Sequence, residues 1–132
     1  MSEHLESVDD IARQVRTALE SADLVALGDL LDPNVRWGPP GDPSPPCQSR
    51  EQVLAWYRRG KKSGTSARVS EIVVLGDRIL VGLIVTGNRA DRERGGHATR
   101  WQVLTVRGAK IVDIVGFDQR SEAAAHADEP AP

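Results

Sequence analysis

What this chain has little of already narrows its chemistry. Cys47 is the single cysteine in 132 residues, which excludes an internal disulfide and makes a thiolate metal centre untenable. Histidine occurs three times, as His4, His97 and His126; two of these lie near the ends, so no histidine-rich metal site is assembled and no metal is expected. Charge of one sign is also missing. Seventeen Lys and Arg face nineteen Asp and Glu, a net charge of −2, without the clustered basic excess that nucleic acid demands. No apolar run approaches the ~18 residues of a membrane span. The acidic start, MSEHLESVDD, lacks the basic and apolar regions of a signal peptide. These absences point to a soluble, cytoplasmic protein with neither nucleic acid nor membrane as partner. The length suits one domain, which at this size buries roughly two-thirds of its unfolded surface.

What is present reads as helices first and strands afterwards. Ser7 with Asp10 is a loose capping box, and Ile11, Val15, Ala18, Leu19 and Ala22 recur on one helical face, predicting a helix over 8–21. Asp23 caps a shorter helix with Leu24, Leu27, Leu30 and Leu31 on its apolar side, stopped by Asp32-Pro33. A short strand over 34–37 and the proline-rich PPGDPSPP follow. Ser49 with Gln52 forms a second capping box, opening a helix in which Val53, Trp56 and Tyr57 share a face until Gly60 to Gly64 end it.

Beyond Ala67 the period becomes that of strands. The stretches 69–75, 78–86, 98–106 and 110–117 are rich in Val, Ile, Leu and Thr, with turn signals at Gly76-Asp77, Gly87 to Gly96 and Gly108-Ala109. Hairpin-length connections make one antiparallel sheet, and the helices have only its concave side on which to bury their apolar faces. The expected class is α+β, with three N-terminal helices inside a strongly curved, mainly antiparallel sheet. The expected limits are an arm over 1–7, one domain over 8–120, and a flexible tail over 121–132 that carries too little apolar surface to order itself.

The segments DLVALGDLLDPNVRWGPPG, CQSREQVLAWYRRG and TVRGAKIVDIVGFDQRSEAAA resemble, in order and spacing, an uncharacterised bacterial branch of the SnoaL-like and nuclear transport factor 2-like superfamily. The resemblance runs from about Val8 to Ala125 and implies a cone-shaped, cystatin-like roll enclosing a pocket for a small, largely apolar molecule. Members include isomerases, dehydratases, cyclases, epoxide hydrolases and plain binding domains, so fold does not decide chemistry. At the position of the ketosteroid isomerase base this chain has Trp37, which accepts no proton. Where limonene epoxide hydrolases place their Arg and two Asp, it has Leu83, Val85 and Gly116. Both patterns are absent. Asp118 is the nearest match to the carboxylate of the polyketide cyclases.

The same resemblance sets the pleat of the 98–106 strand. Ala98, Arg100, Gln102, Leu104 and Val106 are expected to face the cavity, with His97, Thr99, Trp101, Val103 and Thr105 facing outward; an inverted phase would exchange Arg100 for Trp101. Arg100 inside an apolar chamber needs a partner, and Asp118 on the adjoining strand is the obvious one. The pair is then either a structural brace or a catalytic couple with Asp118 as general base. Trp37, Trp56, Tyr57, Leu83, Val85, Gln102 and Leu104 are the candidate substrate-binding residues, the aromatics being equally readable as core. The proline-rich loop is a rim, a lid or an ordinary connection. His97 ends a charged hairpin holding Arg89, Asp91, Arg92, Glu93 and Arg94, a solvated tip unless it folds over the mouth. Outward-facing Trp101, Val103, Thr105, Val112 and Val115 form an apolar strip, and family members commonly dimerise through this face, so a homodimer is expected. The functional expectation is a pocket for a small-molecule ligand with no cofactor, used for acid/base isomerisation, cyclisation or dehydration. The alternative is a non-catalytic ligand-binding or dimerisation module.

Overall fold

The computed structural model describes residues 7–42, 44–87 and 98–128. The charged hairpin tip with His97 therefore lies outside the described residues. Helix α1 (Val8–Ser21) begins where its cap dictates: the Ser7 hydroxyl accepts from the Asp10 N–H, and the Asp10 carboxylate accepts from the Ser7 N–H. Its face of Ile11, Val15, Ala18 and Leu19 is buried. Ala22 takes a left-handed conformation, φ 53°, to end the helix. Helix α2 (Leu24–Leu30) is capped by Asp23, which accepts from the Ala26 N–H at 3.0 Å.

Strand β1 (Leu31–Gly38) starts three residues earlier than the sequence predicts, running straight out of α2. Pro33 does not delay it, because β1 is an edge strand whose register shifts between Leu31 and Arg36, and proline is tolerated at edges and bulges. Helix α3 (Arg50–Lys62) has the expected Ser49 cap, but the Gln52 side chain accepts from the Gln48 N–H rather than from Ser49. The helix ends within the expected Gly60 to Gly64: Gly60 is still helical, and the chain leaves the helix at Ser63 and at Gly64, whose φ is +86°. Its last turn carries Arg59, Lys61 and Lys62, which complement the helix dipole.

Strands β2 (Ser66–Leu75), β3 (Arg78–Thr86), β4 (Ala98–Arg107) and β5 (Lys110–Phe117) form antiparallel neighbours, and β1 joins parallel to β5, giving the order β1-β5-β4-β3-β2. Bulges at Val69/Glu71 and Thr105/Val106 bend the strands. At the first of these the Glu20 carboxylate of α1 accepts from the Val69 N–H at 3.2 Å, fastening helix to sheet. The concave face and helices α1 to α3 share one core, in which Ile11, Leu31, Val35, Val53, Ile79, Val81 and Ile111 are at most 1% exposed. The architecture is the α+β arrangement expected, three helices within a mainly antiparallel sheet.

A fourth helix, α4 (Arg120–Ala127), stands where a flexible tail is expected. Alanine explains the difference. Ala123 and Ala127, four residues apart, are buried against Leu80 and Val103 on the outer sheet face, with Trp101 and Phe117 beside them; small side chains let the helix backbone approach the sheet closely. Arg120 adds two hydrogen bonds to Glu71, at 2.8 and 2.6 Å, and its guanidinium lies 5.8 Å from the Trp101 ring centroid. Gly82 makes room for that ring, since a Cβ there would stand 2.5 Å from it. The outer apolar strip for which a second copy of the chain is expected is thus covered in part by the chain's own helix.

The outer face also carries a polar row. Arg36, Asp113, Thr105 and Arg78 are register partners across four strands, and Arg78 donates to the His126 carbonyl of α4 at 2.5 Å. Burial raises the Asp113 carboxyl above its ordinary value, against the pull of Arg36, His126, Arg78 and Arg107. The folded state therefore holds this proton more tightly than the unfolded chain, so the group's contribution is best at low pH and falls as pH rises from about 4 through the raised value. Asp113→Asn is expected to remove that decline and to leave the protein at least as stable at pH 7. Urea midpoints of both proteins from acid to neutral pH check this; a wild type that gains on the variant as pH rises contradicts it.

Candidate functional site

A cavity of about 700 Å³ opens between the helices and the concave face of the sheet. Its walls follow from the periodicities. Leu19, Leu24 and Leu27 come from the apolar sides of α1 and α2, while alternate residues of the sheet, Leu83 and Val85 on β3, Arg100 and Gln102 on β4, and Gly116 on β5, face inward. The pleat of β4 is as predicted: Gln102 is 7% exposed on the inner side, and Val103 packs outward under α4.

Three aromatic rings form one side. Trp37 of β1 stacks on Tyr57 of α3 with centroids 5.2 Å apart and 21° between planes, and Trp56 meets Trp37 edge-on at 4.7 Å. The proline-rich loop completes the rim. Trp37 and Cys47 exchange backbone hydrogen bonds of 2.9 and 3.2 Å, folding the loop back so that Pro39, Pro40, Pro46 and Cys47 line the opening. This close return needs Gly38, where a Cβ would sit 2.5 Å from Pro45 Cβ. The loop is thus a rim, not a detached connection.

Polar groups divide by depth. Inside, burial pushes the Tyr57 hydroxyl above the ordinary phenol range, with the neighbouring Gln102 side chain opposing and Cys47 adding to the rise. Tyr57 therefore stays protonated at neutral pH. Burial likewise raises the Cys47 thiol, with Arg59 opposing, so it is a neutral wall group and not a poised nucleophile. At the rim, Arg100 Nη1 lies 3.4 Å from Asp118 Oδ1, with side chains 42% and 80% exposed. The pair forms, but at the mouth instead of within an apolar chamber, because Arg100 sits near the open end of β4. Such an exposed pair contributes little to stability. No group of three or more His, Cys, Asp or Glu suited to a metal ion occurs among the described residues.

Eight of the nine candidate site residues border this cavity: Asp118, Arg100, Trp37, Trp56, Tyr57, Leu83, Val85 and Gln102. Leu104 does not. It is 2% exposed and packs in the core, because two residues further along β4 the cone has narrowed onto its helices; Val106, also expected inside, lies in the same core. Sequence reasoning missed Leu19, Leu24 and Leu27 as wall residues, although their shared apolar spacing was the signal. It also missed Cys47, whose place depends on a pairing with Trp37 that no local pattern encodes.

Comparison with known proteins follows the same lines. A family model described as SnoaL-like domain matches residues 11–114. No curated protein matches the sequence. Among solved structures, a provisionally named ketosteroid isomerase from Kribbella flavida superposes with a TM-score of 0.70 at 17% identity, covering 97% of this chain and 84% of its own. A protein of unknown function with a cystatin-like fold from Xanthomonas campestris gives 0.67 at 22%, covering 89% and 97%. A provisionally named polyketide cyclase from Sinorhizobium meliloti gives 0.62 at 21%, covering 89% and 99%. At these identities the likeness is one of fold.

Proposed function

This chain belongs to the SnoaL-like domain family, and from that premise we propose that it binds one small, mostly apolar molecule in the cone between its helices and its sheet. The cavity carries the reading. Its volume of about 700 Å³ falls within the ~300–1,000 Å³ of ligand pockets, and its walls are mainly aliphatic and aromatic, with Tyr57 and Gln102 among the few polar groups facing the interior. A planar part of the ligand stacks against Trp37, while the Tyr57 hydroxyl and Gln102 amide meet one carbonyl or hydroxyl. Of the lining carboxylates, Glu20 is engaged by the Val69 N–H and Asp118 lies at the exposed mouth, which suits binding better than proton abstraction in the interior. Titration with a neutral apolar dye such as Nile red tests the reading: one saturable site, with Trp emission quenched as it fills, is expected. Absence of any saturable binding by this or other apolar probes counts against it.

A second reading, acid/base isomerisation, cyclisation or dehydration, has one specific support in the Arg100–Asp118 pair at the mouth. There Asp118 accepts the proton and Arg100 holds the substrate oxygen. For any compound the protein converts, Asp118→Asn is expected to lower turnover by 100-fold or more, on the scale of ~10²–10⁴ for a general base, with ligand affinity nearly unchanged. Unchanged turnover removes Asp118 from the chemistry.

A further inference from the structure

Helix α3 combines a wall of the cavity with a basic surface. Five of its thirteen residues are Arg or Lys, against Glu51 alone, in a protein of net charge −2. Arg50 lies 3.5 Å from Glu51, and Lys61 donates to the Ala22 carbonyl. Arg58, Arg59 and Lys62 are exposed, and among the described residues no carboxylate pairs with them.

At 100° per residue, Lys62, Arg59 and Trp56 follow one another round the solvent side of the helix. Trp56 is 50% exposed, an uncommon state for so large an apolar ring, yet its other side meets Trp37 at 4.7 Å and lines the cavity. One aromatic ring thus joins the interior of the cone to a cationic surface.

We propose that this face of α3 seats the protein on an anionic lipid surface, with Trp56 in the interfacial layer beside the cavity mouth. The inference rests on the cavity reading for its purpose: a molecule suited to an apolar chamber also partitions into a bilayer, and a chamber docked there exchanges it without crossing water. Charge complementarity selects the occupant. Lys and Arg near an anionic leaflet each strengthen partitioning about fivefold, and Trp favours the membrane interface because one end of its ring system is apolar and the other polar. The carboxylates that border the cavity, Glu20, Asp118 and Glu122, come from α1, the end of the sheet and α4, so the α3 side makes the contact. Such a peripheral seat needs no spanning segment, and no described helix is long and apolar enough to cross a membrane. It departs from the expectation of no membrane partner, which weighed only spans and signals.

The full chain is mixed with vesicles of phosphatidylcholine alone or with added phosphatidylglycerol and followed by sedimentation and Trp emission. Binding to the anionic vesicles only, a blue shift of the emission and release by salt are expected. The triple variant Arg58→Gln, Arg59→Gln, Lys62→Gln is expected to partition on the order of 100-fold more weakly, three charges at about fivefold each. Trp56→Ser is expected to lose the blue shift. Equal binding to neutral vesicles, or a triple variant that binds like wild type, overturns the proposal. Binding to soluble polyglutamate as tight as to vesicles also overturns it and points to an acidic protein. Nile red titration without vesicles separates the two readings. A chain that takes the dye but ignores vesicles defeats the lipid seat alone; one that binds vesicles but no apolar probe supports the seat and defeats the cavity reading.

Discussion

Ending the chain after Gln119 is expected to lower its unfolding free energy by about 2–4 kcal/mol, read from urea unfolding of the full-length and shortened proteins. Helix α4 is the only cover over Leu80 and Val103 among the described residues outside the sheet, and both are at most 1% exposed. Uncovering two such aliphatic side chains costs ~1.5–3 kcal/mol each. The loss is reduced because eight α4 residues no longer surrender backbone entropy, and increased because Glu71 and Arg78 lose the partners they have on α4. Glu71 adds a pH signature. Its carboxyl is held below the ordinary range by the hydrogen bonds from Arg120, so its contribution is present at neutral pH and fades as pH falls through the lowered value. The shortened protein should lack that acid-side component. Bared Trp101, Phe117, Leu80 and Val103 should also make it associate at high concentration, as exposed apolar patches do. A midpoint unchanged by the truncation would mean that α4 rests on the sheet without stabilising it.

The same helix marks where the sequence stops being legible. Helix starts are legible because they are local: Ser7, Asp23 and Ser49 each satisfy an N–H three residues on, and short-range chemistry of this kind leaves a short-range pattern. The β3 and β5 limits are equally plain, since alternation and turn residues sit side by side in the chain. The pleat of β4 is legible once its neighbours are aligned. What escapes are matters of depth and distance. Leu104 and Arg100 belong to one face of one strand, yet one lies in the core and the other at the rim; only the taper of the cone distinguishes them. Alanines look too weak to order a segment, because hydropathy counts the area of a side chain and not the closeness it permits. Cys47 becomes a wall residue through a bridge to Trp37 ten positions earlier, across a loop whose prolines conceal the pairing. Tyr57 and Gln102 come together at the cavity from forty-five positions apart, and nothing in either neighbourhood announces the other.

Filling the chamber from its wall gives the largest functional effect. Val85→Trp places an indole where a half-buried valine now borders the cavity, near the open end of β3 and facing the interior. A bulky ring there competes directly with any occupant, and affinity for a neutral apolar dye is expected to fall by at least tenfold, a cost of 1.4 kcal/mol or more. Stability should change little, because the new ring enters existing space and gains apolar contact; overpacking penalties of ~1–3 kcal/mol apply where a site is already full. The contrast variant is Val85→Ala, which enlarges the chamber: its dye affinity should stay within a few-fold of wild type, while it loses on the order of 1 kcal/mol of stability from the missing methyl groups. Leu104→Ala supplies the counterpart in the core, with a stability loss of ~2–5 kcal/mol and no direct contact with the dye. Together the three substitutions separate occupancy from packing: affinity should track the space left at position 85, stability should track burial at position 104, and neither should predict the other. Wild-type affinity in Val85→Trp would place the dye outside the cone, and the binding function proposed for it would have to be given up.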